Sequence, residues 1–144
     1  MTPEQTFGRW MRISAWLYGA GGLAFAVLPG LSHELPAAVA RQLLGWVDWT
    51  PMPPTASYSW HALAVSMMAT IAVCSWFAGR DPLRNRDFAV PVMFSKGVSS
   101  LVGGLALFLH APMAIYLVLV LTDFPLLVVT WLLWRRVPPA ADRT

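Results

Sequence analysis

Long apolar runs alternate with short polar punctuation along this chain, and four of the runs approach the length a helix needs to cross a lipid bilayer. About 20 mainly apolar residues cover the hydrocarbon layer at a rise of about 1.5 Å per residue. The cores of these runs extend from Ile13 to Leu28, Ala62 to Phe77, Phe88 to Leu109 and Met113 to Trp134. The first two are short by themselves. Trp10, Trp16 and Tyr18 flank or occupy the first, Tyr58, Trp60 and Trp76 bracket the second, and Trp131 and Trp134 close the fourth, in the manner of interfacial anchors. The pattern predicts an all-α integral membrane protein, a bundle of four transmembrane helices in one domain over residues 1–144. Its spans are expected near 10–29, 58–79, 88–109 and 113–134.

Residues 30–57 then form a loop between the first two spans. Pro36, Pro51, Pro53 and Pro54 exclude one continuous helix there, because each removes a backbone donor and clashes with the preceding turn. In the middle of the loop Val39, Leu43, Leu44 and Val47 recur at helical spacing, which predicts a short interfacial helix from Ala37 to Trp49. Its expected role is to cap the bundle, with a lid over a ligand entrance as the alternative.

Arginines set the direction of the crossings. Arg9 and Arg12 precede the first span, Arg80, Arg84 and Arg86 separate the second and third, and Arg135, Arg136 and Arg143 follow the fourth. In a four-crossing chain all of these fall on one side, and the excess of positive charge marks that side as cytoplasmic. Both termini are therefore expected inside, in a bacterial cytoplasmic (inner) membrane. A rival reading makes the first run a signal peptide cleaved near Ala24-Phe25-Ala26; the glycines ahead of that site weigh against it.

Composition agrees with a membrane setting: 57% of the residues are hydrophobic and 12% are charged, against about 25% charged in an ordinary soluble domain. The basic residues sit at the ends of apolar runs instead of lining one patch, so no nucleic-acid partner is expected. Cys74 is the single cysteine, lies in an apolar run, and is read as packing.

Chemistry concentrates in the third and fourth spans. Lys96 is the only lysine of the chain and lies within an apolar run, with Ser99, Ser100 and Gly103 on the same helical face. The fourth span holds the matching acid, Asp123, with Tyr116 seven residues before it and Thr130 seven after. Two facing polar stripes follow from this. A charge in hydrocarbon costs at least about 2.5 kcal/mol, so Lys96 and Asp123 are expected to pair or share a polar cavity, snorkelling of Lys96 being the alternative. Counted from His110 the two residues are level; a turn centred nearer Pro112 sets Lys96 about 5–8 Å deeper, a gap that lysine's length and helix tilt must then close. Pro125, two residues beyond Asp123, frees the carbonyl of Leu121 and is expected to kink the helix beside the charge.

His33, His61 and His110 all fall on the outer side, His61 and His110 at span ends where they are candidates for a binding site. No metal-ligand spacing, phosphate loop or nucleophile motif is present, and neither metal nor cofactor is predicted. Small residues along one side of the first span, Ala15, Gly19, Gly22 and Ala26, and at four-residue spacing in the third, Ser99–Gly103 and Ser100–Gly104, predict close helix packing.

Three functional classes follow. A non-catalytic scaffold or accessory subunit, partnered by the bilayer, by other membrane subunits or by copies of itself, needs nothing the sequence lacks. A small proton-linked carrier would use Lys96 and Asp123 as its coupling pair. A binder or enzyme for a lipid, quinone or other apolar molecule would use the outer histidines as its mouth.

Overall fold

The computed structural model describes residues 1–28, 37–42, 44, 45, 47, 57–109 and 113–138, and all regular structure among them is helical. The long helices are α1 (Pro3–Val27), α2 (Ser57–Arg80), α3 (Ala89–Leu109) and α4 (Ala114–Arg135), with a 3-10 turn at Arg86–Phe88 leading into α3. α1 starts about three turns before its apolar run, with a well-capped N-terminus. The Thr2 hydroxyl accepts from the Gln5 backbone N–H at 3.3 Å, the Gln5 side chain accepts from the Thr2 N–H at 3.1 Å, and Pro3 occupies the first turn, where its missing N–H costs nothing.

Three stretches, His61–Arg80, Arg86–Leu109 and Ala114–Arg135, are long and apolar enough to cross a membrane. α1 is as long but less apolar: Glu4, Arg9 and Arg12 occupy its first half, and Trp16, Tyr18, Gly19, Gly21 and Gly22 interrupt its second. Of the three apolar stretches only 11–22% is buried inside the chain. Phe94, Leu101, Phe108 and Leu121 point outward, Phe108 with 86% of its surface exposed, while Ser14, Ser75, Lys96, Ser100, Asp123 and Thr130 are buried. Apolar outside and polar inside inverts the arrangement that water imposes.

The predicted loop helix is shorter than expected. Residues 37–42 are helical, but Leu44, Gly45 and Val47 are not, and the Val47 N–H bonds to the Leu44 carbonyl at 3.0 Å in a turn. A glycine inside the proposed helix raises its backbone entropy cost by about 1 kcal/mol, and the helix stops short of it. Trp46 and Trp49 lie outside the described residues.

Packing is built from two antiparallel pairs, α1 with α2 and α3 with α4, joined by thinner contacts of α2 with α3 and α1 with α4. In the first pair the closest approach is at Gly8 and Gly79. A Cβ on Gly79 would stand 2.9 Å from the Arg12 backbone nitrogen and 3.0 Å from the Gly8 carbonyl oxygen. Farther along, Gly19 faces Ala72 and Gly22 faces Met68, as the small-residue spacing predicts, but Ala26 is exposed and the seam ends before it. In the second pair Gly103 lies against Leu119 and the Tyr116 carbonyl. α4 continues as helix through Pro125, which is exposed with Leu121 on the outer side, about 200° around the helix from Asp123.

The two pairs are closed against each other at the arginine-bearing end. Phe7, Met11, Ile71, Ala78, Ala89, Val92 and Val137 form the buried apolar cluster there, with Cys74, Tyr18 and Trp134 packed on it. The linker between α2 and α3 is held at both ends. The Arg84 N–H bonds the Asp81 carboxylate at 3.1 Å, and the Asn85 side chain donates to the Phe77 carbonyl at 3.3 Å, taking up one of the acceptors left open at the end of α2.

Candidate functional site

Lys96 and Asp123 meet between α3 and α4. Lys96 Nζ lies 2.9 Å from Asp123 Oδ1, a charge-assisted hydrogen bond within ion-pair distance, and the two residues are only 6% and 5% exposed. Of the two depths the sequence left open, the helix ends favour the one that sets Lys96 deeper. Lys96 lies 13 residues before Leu109, the last residue of α3, and Asp123 lies 9 residues after Ala114, the first of α4. At 1.5 Å per residue the difference is about 6 Å, the reach of an extended lysine side chain.

Ser99, half-buried one turn along α3, presents its hydroxyl to Asp123 Oδ2 and stands 3.1 Å from the Lys96 carbonyl. A hydroxyl has one proton to give, and the carboxylate is the stronger acceptor. Each carboxylate oxygen of Asp123 thus has its own donor, both supplied by α3. The third element of the site comes from α1. Lys96 Nζ sits 4.0 Å from the centre of the Tyr18 ring, so the ammonium is held between a carboxylate and the negative face of an aromatic ring.

Tyr18 was expected to anchor the first helix at a membrane interface; instead it turns inward. The reason is its helical phase. Met11, Ser14 and Tyr18 follow at intervals of three and four residues along the side of α1 that also carries Phe7, and that side packs inward. Its hydroxyl is buried and has no hydrogen-bond partner among the described residues. The Ser100 hydroxyl, one turn from Lys96 on α3, is also buried and has no hydrogen-bond partner among the described residues.

The remaining sequence candidates separate from this cluster. Thr130 is buried seven residues beyond Asp123, and its hydroxyl accepts a hydrogen bond from the Trp10 indole at 2.9 Å. It fastens α4 to α1 and does not touch the ion pair. Tyr116 is half-buried, and its backbone carbonyl packs on Gly103; among the described residues its side chain makes no hydrogen bond to the pair. His61 is half-buried at the start of α2, with its Nε2 against the Phe25 carbonyl, so it ties α2 to the far end of α1. His33 and His110 lie outside the described residues. Among those described, no group of His, Cys, Asp and Glu side chains is arranged to hold a metal ion.

A further charge, the half-buried Arg86, was read as a topology signal and proves to be a fastener. Its Nη1 donates to the Val137 carbonyl at 2.6 Å, and its guanidinium lies 4.3 Å from the centre of a Trp134 ring. The arginine that opens the third helix therefore satisfies an acceptor just past the end of the fourth, where helix carbonyls lack partners. Compared with protein-family models, curated proteins and solved structures, the chain matches none.

Proposed function

We propose that this chain is a four-helix integral membrane protein with both termini on the cytoplasmic side of a bacterial inner membrane, and that it acts as a non-catalytic scaffold or accessory subunit of a membrane assembly. The observation that carries this reading is the closure of the Lys96 site. The ammonium has the Asp123 carboxylate on one side and the Tyr18 ring on the other, and both carboxylate oxygens have donors from the same chain. A charge pair partnered in this way joins α1, α3 and α4 and fixes their register; it leaves little of either charge to present to a transported ion. The inward polar and outward apolar surfaces favour the bilayer as the surrounding medium.

A second reading, a small proton-linked carrier, draws on the buried hydroxyls of Tyr18 and Ser100, which have no hydrogen-bond partner among the described residues. The two are separated by the set Lys96→Met, Asp123→Asn and the double variant, each purified from native membranes. Removing one partner of a buried pair costs about 3–5 kcal/mol, whereas removing both leaves no orphan charge. A scaffold is expected to lose its larger assembly in either single variant and to recover it in the double. Normal assembly of all three variants refutes a scaffold role for the pair. Proton flux into vesicles that wild type supports and the folded double variant lacks establishes the carrier instead.

A further inference from the structure

Resting on the membrane reading above, we infer that the outer side of the α1–α2 pair holds an anionic phospholipid, its phosphate bound by Arg12 and Arg80 with Arg9 adjoining. The seam between these helices runs through Gly8, Gly19 and Gly22 on α1 and through Met68, Ala72 and Gly79 on α2. At about 100° per residue, the core side chains Met11, Ser14 and Tyr18 lie to one side of that seam on α1, while Arg9, Arg12 and Trp16 lie to the other. On α2, Ile71, Ser75 and Ala78 lie on the core side and Trp76 and Arg80 on the opposite side. Because the helices are antiparallel, both outer sets flank the same face, away from α3 and α4.

Their levels match as well. Arg12 packs directly on Gly79, the neighbour of Arg80, its Cγ standing 2.8 Å from where a Gly79 Cβ would be. Trp16 follows Arg12 by four residues and Trp76 precedes Arg80 by four, so each tryptophan stands about 6 Å from its arginine along the axis, both toward the membrane interior. Trp16 is 71% and Trp76 46% exposed, and Leu23 and Val73 continue the apolar strip beyond them. Arg9, Arg12 and Arg80 are exposed.

Their want of a partner separates these arginines from Arg86 and Arg135 at the same end, and their place along the α1–α2 face, above Trp16 and Trp76, separates them from Arg84 and Arg136. Arg86 lies on Trp134 and Arg135 on Trp131, at 4.3 and 4.7 Å from the ring centres. Arg9, Arg12 and Arg80 have neither a carboxylate nor a ring partner among the described residues. Unpaired guanidiniums bind phosphate through paired N–H donors, and the exposed tryptophans and apolar strip beneath them suit acyl chains. That continuity from charged to apolar surface selects a lipid over a free phosphate ion.

Native mass spectrometry of the purified full chain, equilibrated with phosphatidylglycerol or phosphatidylcholine, tests the assignment. Wild type is expected to retain phosphatidylglycerol preferentially. Arg12→Gln with Arg80→Gln is expected to weaken that binding about 30-fold, the equivalent of about 1 kcal/mol per basic group. The control Arg84→Gln with Arg136→Gln is expected to keep it. Far-UV circular dichroism verifies that each variant is folded, and Arg12→Lys with Arg80→Lys, which keeps the charge, is expected to bind measurably better than the glutamine pair. Equal retention of both lipids by wild type, undiminished binding by the glutamine pair, or displacement by inorganic phosphate alone overturns the proposal. Carbonate extraction of native membranes is read in parallel: release of the chain into the soluble fraction overturns the membrane reading itself, whereas retention with no lipid preference overturns only the lipid site.

Discussion

Replacing Gly79 with alanine adds one methyl group where two helix backbones touch, and its cost can be estimated from the distances. The new Cβ would stand 2.9 Å from the Arg12 nitrogen and 3.0 Å from the Gly8 oxygen, against 3.4 Å or more for ordinary contact. The Arg12 side chain can swing aside, but these backbone atoms cannot, so α1 and α2 must separate by about 0.5 Å. A gap of that size forfeits about a quarter of the dispersion energy of each neighbouring contact, and overpacking of this kind costs about 1–3 kcal/mol. Alanine also returns up to about 1 kcal/mol of helix propensity, which blurs a measurement on Gly79 alone. Gly104→Ala supplies the reference. It shares the propensity gain, but its Cβ would find only Val120 Cγ2 at 3.9 Å, an easy contact. Unfolding of both variants by sodium dodecyl sulfate in mixed micelles, followed by circular dichroism, should therefore place Gly79→Ala below Gly104→Ala by about 1–3 kcal/mol. Gly79→Ala equal to or more stable than Gly104→Ala refutes the close approach of α1 and α2.

Three further outcomes follow from the buried contacts. Tyr18→Phe should change stability by less than about 0.5 kcal/mol, because the hydroxyl makes no hydrogen bond among the described residues, whereas Tyr18→Leu removes the ring from Lys96 and should cost about 1–2 kcal/mol in the same unfolding assay. Equal effects of the two would show that the ring does not hold the ammonium. Thr130→Val leaves the Trp10 indole without its acceptor and should cost about 1–3 kcal/mol; an unchanged unfolding midpoint would contradict that bond. Arg86→Lys keeps the charge but loses the planar stack on Trp134, and should raise amide exchange at Arg136 and Val137 about tenfold, equivalent to about 1.4 kcal/mol; wild-type protection at both amides would remove Arg86 as the fastener of the α4 end.

Much of the architecture was legible in the sequence for a simple reason. Helix length and apolar content are local properties, so the runs from Ala62, Phe88 and Met113 announced α2, α3 and α4 to within a few residues of their ends. The glycine spacing of α1 likewise marked the side that meets α2. Lys96 and Asp123 stood out because charges are rare in apolar runs, and their helical phase placed Ser99 with them.

What the sequence could not decide is which aromatic and which arginine turn inward. Trp10, Tyr18 and Trp134 have the same composition signature as Trp16 and Trp76, yet the first three pack against the core and the last two face outward. Arg86 resembles Arg80 and Arg84 as a flanking charge, and only its position opposite the end of α4 brings Val137 and Trp134 within its reach. These distinctions depend on how α1 is rotated against α3 and α4, which arises from contacts more than 50 residues apart in the chain. Local pattern named the ion pair; the tertiary fold alone placed the Tyr18 ring against it, because that third partner comes from an apolar run, Ile13 to Leu28, that holds no charge to mark it.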